Sequence, residues 1–101
     1  MFLCVSSYSR PLTVVDASVI EAHHAYLREA YARGLLLCSG PQVPRTGGVI
    51  VALGGDEAAV RALVDGDPLV RAGLTHYTLT RFVPTKAAYP ELVEPSPADA
   101  G

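Results

Sequence analysis

The sequence predicts an α+β domain with the element order β-α-β-β-α-β, a four-stranded antiparallel sheet carrying two helices on one face. Three observations lead there. Short runs of β formers, FLCVSSY, LLLC, VIVAL and LTHYTLTRFV, alternate with two stretches whose apolar residues recur at three- and four-residue steps. Glycine and proline cluster between these runs and punctuate them. Apolar residues make up 50% of the chain and charged residues 18%, the balance of a packed domain and far from that of a disordered one.

The elements follow in order. Phe2 to Tyr8 is the first strand, closed by the turn residues Ser9-Arg10-Pro11. Thr13 and Asp16 have capping-box spacing, so a helix starts at or soon after Thr13. Along Asp16 to Arg33, Val19, Ile20, His23, Leu27, Ala30 and Tyr31 form one semi-apolar face. His23 lies on that inward stripe; His24 is turned about 100° away, toward the surface. Gly34 suits the helix C-terminus, where a left-handed residue is common. Leu35 to Cys38 is the second strand, with Ser39-Gly40-Pro41 read as its turn, and Val49 to Leu53 is the third. Asp56 caps a second helix that carries Val60, Leu63 and Val64 and ends at Gly66. Asp67-Pro68 makes an exposed corner, because proline pushes the preceding residue out of the helical region. A short helical turn over Pro68 to Gly73 then leads into the last strand, Leu74 to Val83.

This order is the ferredoxin-like plan. Its second and third strands are apolar on both faces, whereas two helices cover only one. A second copy packed through the open sheet face is the economical cover; a C-terminal tail folded back over it is the alternative. That tail, residues 84–101, contains Pro84, Pro90, Pro95 and Pro97 and is expected to be irregular, with Tyr89, Leu92 and Val93 as its expected anchors and 96–101 frayed. Residues 1–83 make up the domain.

Composition narrows the function classes. A net charge of −2 provides no basic footprint for nucleic acid. No apolar run reaches the ~18–20 residues that span a bilayer, and the N-terminus begins as a strand with no targeting pattern, so a cytoplasmic protein is expected. Cys4 and Cys38 lack CxxC or ligand spacing and are read as buried small hydrophobes. The scattered His23, His24 and His76 have no acid at ligand spacing, so no metal site is expected. Gly47-Gly48 and Gly54-Gly55 are turn glycines outside any phosphate-binding pattern, so no nucleotide cofactor is expected either.

Chemistry centres on His23. A lone histidine on an apolar helix face is most simply a hydrogen-bonded core residue. A carboxylate brought near it would instead fix its tautomer and raise its basicity, and Asp67 is the candidate. The loop Pro44-Arg45-Thr46-Gly47-Gly48 offers a guanidinium and backbone donors for an anion, and Tyr8 and Tyr26 are candidates to line a pocket.

At these residues the chain resembles a known family. Ala22-His23, the run from Gly34-Leu35-Leu36 to Ser39-Gly40-Pro41, and Asp67-Pro68-Leu69-Val70-Arg71-Ala72-Gly73-Leu74 are similar, in order and spacing, to the YciI-like (YCII-related) family over about residues 1–83. The resemblance implies a ferredoxin-like subunit of a dimeric α+β barrel with a histidine and an aspartate as active-site pair, here His23 and Asp67, and places the turn after strand two at Ser39-Gly40-Pro41. The expected function is a cofactor-free enzyme moving protons in an elimination, isomerisation or lyase reaction on a small anionic or phenolic molecule. Ligand contacts are expected from Arg45, Ser39, Gly40, Gly48 and Tyr8. The alternative is a non-catalytic ligand-binding or assembly module of the same fold.

Overall fold

The computed structural model describes residues 1–95. β1 (Phe2–Tyr8) is followed by a 3-10 turn at Val14–Asp16 and by α1 (Ala17–Ala32). Then come β2 (Leu36–Pro41), β3 (Gly48–Ala52), α2 (Glu57–Asp65), the single-turn helix α3 (Pro68–Arg71) and β4 (Thr75–Arg81). The strands lie in the order β2-β3-β1-β4 with every neighbouring pair antiparallel. This is the predicted α+β, ferredoxin-like arrangement.

Alternation along β1 sets the two faces. Phe2, Cys4 and Ser6 are buried on the helix side, while Leu3, Val5 and Ser7 point the other way. Register carries the division across the sheet: Cys4 stands opposite Ile50 and Leu79, and Ser6 opposite Tyr77. Ala30 of α1 and Val60 and Val64 of α2 close the core over these side chains. Phe2 is completely buried, so truncating it to alanine would cost about 3–5 kcal/mol.

Each helix has a local reason to start and stop. Asp16 accepts the Thr13 backbone N–H at 2.9 Å and both terminal nitrogens of Arg10 at 2.8 Å, fixing the entry to α1. Gly34 ends α1 with φ 73°, a conformation that costs glycine little. Asp56 caps α2 by accepting from the Ala59 N–H at 3.3 Å. At the far end of α2, a Cβ on Gly66 would collide with the Tyr26 hydroxyl, which donates to the Leu63 carbonyl at 2.7 Å and ties α1 to α2.

Several expectations change. Ser39-Gly40-Pro41 is not a turn: it continues β2, paired with Ile50, Val49 and Gly48, and the connection moves to residues 42–47. Pro41 is tolerated because β2 is an edge strand. Cys38 is exposed, because it pairs with Val51 on the sheet face opposite the helices, beside an irregularity between Leu36 and Cys38. β2 is therefore buried only at Leu36, and the uncovered apolar face is centred on Leu3, Val5, Val49 and Val51. The described part of the tail leaves Leu3 36% exposed.

Of the expected apolar anchors only Leu92 is half-buried, and a charge pair helps fasten that tail. Tyr89 and Val93 are exposed, whereas the N-terminal ammonium of Met1 pairs with Glu94 at 2.9 Å and the Glu94 N–H bonds the Pro84 carbonyl. The expectation for 96–101 lies outside the described residues. No helix among the described residues is long and apolar enough to cross a membrane.

Candidate active site

The site is built where α1, α3 and β4 meet. Asp67 is the N-cap of α3: Pro68 occupies the first helical position, and the Asp67 Oδ1 accepts the Leu69 N–H at 2.9 Å. Leu69 is itself buried. Its packing turns the start of α3 inward, so Asp67 is 1% exposed and not the surface corner expected.

A carboxylate at that depth requires donors, and three groups provide them. His23 Nδ1 lies 2.8 Å from Oδ1 and 2.9 Å from Oδ2. The Tyr77 hydroxyl donates to Oδ2 at 2.8 Å, and the Leu69 amide completes the set. Both oxygens are thereby engaged, and the carboxylate is held from three elements. Burial, then the charge of Asp67, pushes the Tyr77 phenol well above the usual tyrosine range, so it stays a donor.

The carboxylate decides the imidazole's tautomer. Asp67 is an acceptor, so Nδ1 carries a proton and, in the neutral ring, Nε2 the lone pair. Nε2 makes no hydrogen bond to any described residue. His23 retains 16% side-chain exposure, on the side away from Asp67, where it lines a cleft of about 240 Å³. That volume suits a single-ring molecule better than a larger ligand.

Tyr8, Ser39, Gly40, Arg45 and Gly48 all line this cleft with His23, while Asp67 stands behind the imidazole and does not. Two of these residues are already engaged: the Ser39 hydroxyl lies 2.7 Å from that of Tyr31, and the Gly48 N–H donates to Ser6 Oγ at 2.7 Å. The Thr46 N–H is likewise spent on the Pro44 carbonyl. Of the backbone donors expected from the loop, those of Thr46 and Gly48 are therefore spent within the fold. Gly47 is locked, since a Cβ there would strike the Ser6 carbonyl, and the Gln42 side chain bonds the same oxygen at 2.8 Å. Arg45 is exposed and is the cleft's charged group.

His24 is at the surface, as read from the helix, yet it also lines the cleft, its ring centroid 5.4 Å from that of His23. His76 faces solvent on the open side of the sheet, opposite Ser7. Tyr26 belongs to the α1–α2 contact, outside the cleft. Tyr77 is the member of the Asp67 cluster that sequence reasoning missed. Its inward position in β4 was a usable signal, because a buried phenol needs an acceptor. Among the described residues, no group of three or more histidine, cysteine, aspartate or glutamate side chains is placed to hold a metal ion.

Comparison with known proteins adds two findings. A family model described as the YCII-related domain matches residues 1–83. Among solved structures, the chain is similar to the 5-chloro-2-hydroxyhydroquinone dehydrochlorinase TftG from Burkholderia phenoliruptrix AC1100, in complex with 2,5-dihydroxybenzoquinone. The likeness has a TM-score of 0.64 and 24% sequence identity, covering 81% of this chain and 93% of that one. No curated protein sequence matches.

Proposed function

The chain belongs to the YCII-related domain family, and on that footing we propose that it is an enzyme of lyase or isomerase type acting on a small phenolic or anionic molecule, with His23 as general acid/base. One observation carries the reading: a buried carboxylate holds Nδ1 of His23 at 2.8 Å and leaves Nε2 facing a ring-sized cleft. Nε2 takes a proton from a ring hydroxyl or an activated C–H. The electron pair stays with the substrate, where it either expels a leaving group such as halide or is reprotonated at another position by the imidazolium. Asp67 offsets the positive charge that His23 gains in that step, and Arg45 holds the substrate's negative charge. General acid/base catalysis of this kind contributes about 10²–10⁴ in rate.

The similar fold of a dehydrochlorinase makes halogenated and unhalogenated hydroxyhydroquinones the first substrates to try. Chloride release and ultraviolet absorbance should report turnover by the wild-type chain and its loss in His23→Gln, whose amide still donates to Asp67. Wild-type binding without turnover would make the chain a ligand-binding module. Full turnover by His23→Gln would remove the histidine from the mechanism.

The same reading includes a homodimer joined through the open sheet face around Leu3, Val5, Val49 and Val51. A stable pair of this kind buries about 1,600 Å² in total. Light scattering should give twice the chain mass for the wild type and the single-chain mass for Val51→Asp; a monomeric wild type overturns the dimer.

A further inference from the structure

The cleft does not end at His23. It continues into a wider, open groove of about 710 Å³ along the first turns of α1, and the two spaces share Leu12, Ile20, His24 and Arg45. The mouth between them is thus lined by two apolar side chains and two nitrogen-bearing ones.

Neither polar group is committed elsewhere. Arg10 and Arg61 each pair with an aspartate, whereas Arg45 makes no ion pair or side-chain hydrogen bond with any described residue. The ring of His24 touches that of His23, with centroids 5.4 Å apart and planes at 54°, but bonds no described residue. A neutral imidazole keeps one N–H donor in either tautomer, and arginine presents a planar fork suited to a carboxylate. No acid lines the inner cleft. In the outer groove Glu21 is accompanied by Arg28, so the mouth faces a ligand with excess positive charge.

Building on the proposed His23 site, we propose that His24 and Arg45 form a carboxylate subsite at the mouth of the cleft, and that the ligands are hydroxylated single-ring aromatic carboxylates. The ring hydroxyl faces Nε2 of His23, and the carboxylate lies between His24 and Arg45. The spacing of the two imidazoles is of the order of the separation of two substituents across a six-membered ring, so one small molecule can reach both. Doubling the histidine at position 24 then has a use that a purely solvated residue would not have.

A matched pair of probes tests this. Hydroquinone and 2,5-dihydroxybenzoate share the ring and the two hydroxyls and differ by the carboxylate. Titration of each into the wild-type chain, followed by calorimetry and by NMR shifts of cleft residues, should show the carboxylate-bearing probe binding roughly 10- to 100-fold tighter, the worth of a charge-assisted hydrogen bond. The ratio of the two dissociation constants should fall about tenfold or more in Arg45→Gln combined with His24→Gln. Both positions are exposed, so the fold tolerates the changes. Equal affinities in the wild type, or an unchanged ratio in the double variant, would overturn the subsite while leaving a ring-binding His23 cleft in place. Failure of both probes to shift cleft resonances would overturn the subsite together with the function it rests on.

Discussion

Two buried aspartates lie along α1, built almost alike but paired with side chains of different chemistry. Asp16, at the entry to the helix, accepts two nitrogens of one side chain at 2.8 Å and a backbone N–H at 2.9 Å. Asp67, against the middle of the helix, accepts one nitrogen of His23 on both oxygens, a backbone N–H, and the Tyr77 hydroxyl. The partner's chemistry separates them. Arginine keeps its proton at any ordinary pH, so the Arg10–Asp16 pair can only hold the chain. An imidazole has a second ring nitrogen that can give or take a proton, so on the proposed reading the His23–Asp67 pair holds the chain and also works on a ligand. Depth follows the same division: Arg10 keeps half its surface in water, while His23 is largely buried between Asp67 and the cleft it lines.

The contrast can be broken most sharply at His23. His23→Gln should lower kcat by about 10²–10⁴-fold and leave the melting temperature within a few degrees, while Arg10→Gln should leave kcat near wild type. Equal loss of turnover in both variants would erase the distinction. Tyr77→Phe is next: removing a donor from a buried carboxylate should cost about 1.5–3 kcal/mol in urea unfolding. No measurable loss would mean that His23 and Leu69 satisfy Asp67 without it.

Alkaline titration sharpens the same point. The folded phenol of Tyr77 is raised above the ordinary value of 10.0, so its share of stability is complete below about pH 10. It should fall as pH rises past that value, because the unfolded chain ionises its phenol and the folded one does not. Melting temperature followed from pH 9 to 11 should therefore drop more steeply for wild type than for Tyr77→Phe; parallel curves would contradict it.

The smallest effect belongs to Asp16, whose carboxyl is lowered to about 2, first by its hydrogen bonds to Arg10 and then by that to Thr13. A depressed carboxyl stabilises the fold above its unfolded value and loses that contribution as pH falls through the folded one. The stability gap between wild type and Arg10→Gln should thus be constant above about pH 4 and close toward pH 2. A gap that persists at pH 2 would mean that Arg10 acts through packing instead.

The sequence made the element order readable because its two periodicities are local: β1 repeats every two residues, α1 every three or four. Residue types alone locate Asp67 at a proline corner and leave its depth open. Pro68 dictates a corner, but only the packing of Leu69 and the reach of Tyr77 from a distant strand decide which way the corner faces. Pro41 shows the same limit. Its residue type argues for a turn, and its tolerance in β2 depends on that strand being an edge, a fact of sheet order. The apolar neighbours of Cys38 argue for burial, whereas its exposure depends on the irregularity beside it and the missing cover on that face, neither of which a local pattern carries. Of the cleft, the polar members were legible as residue types, while the engagement of Gly48 by Ser6 was not.

The fastening of residues 42–47 also bears on how this protein can change over generations. Position 47 admits no side chain, because the Ser6 carbonyl occupies the space, whereas Val43, Pro44, Arg45 and Thr46 are exposed. On the proposed reading, a library varied across 43–46 would therefore sample new ligand preferences, while a single methyl group at 47 would force the segment and β1 to shift apart. The loop is a cassette of replaceable side chains on a backbone pinned to β1, where the Tyr8 N–H also bonds the Thr46 carbonyl.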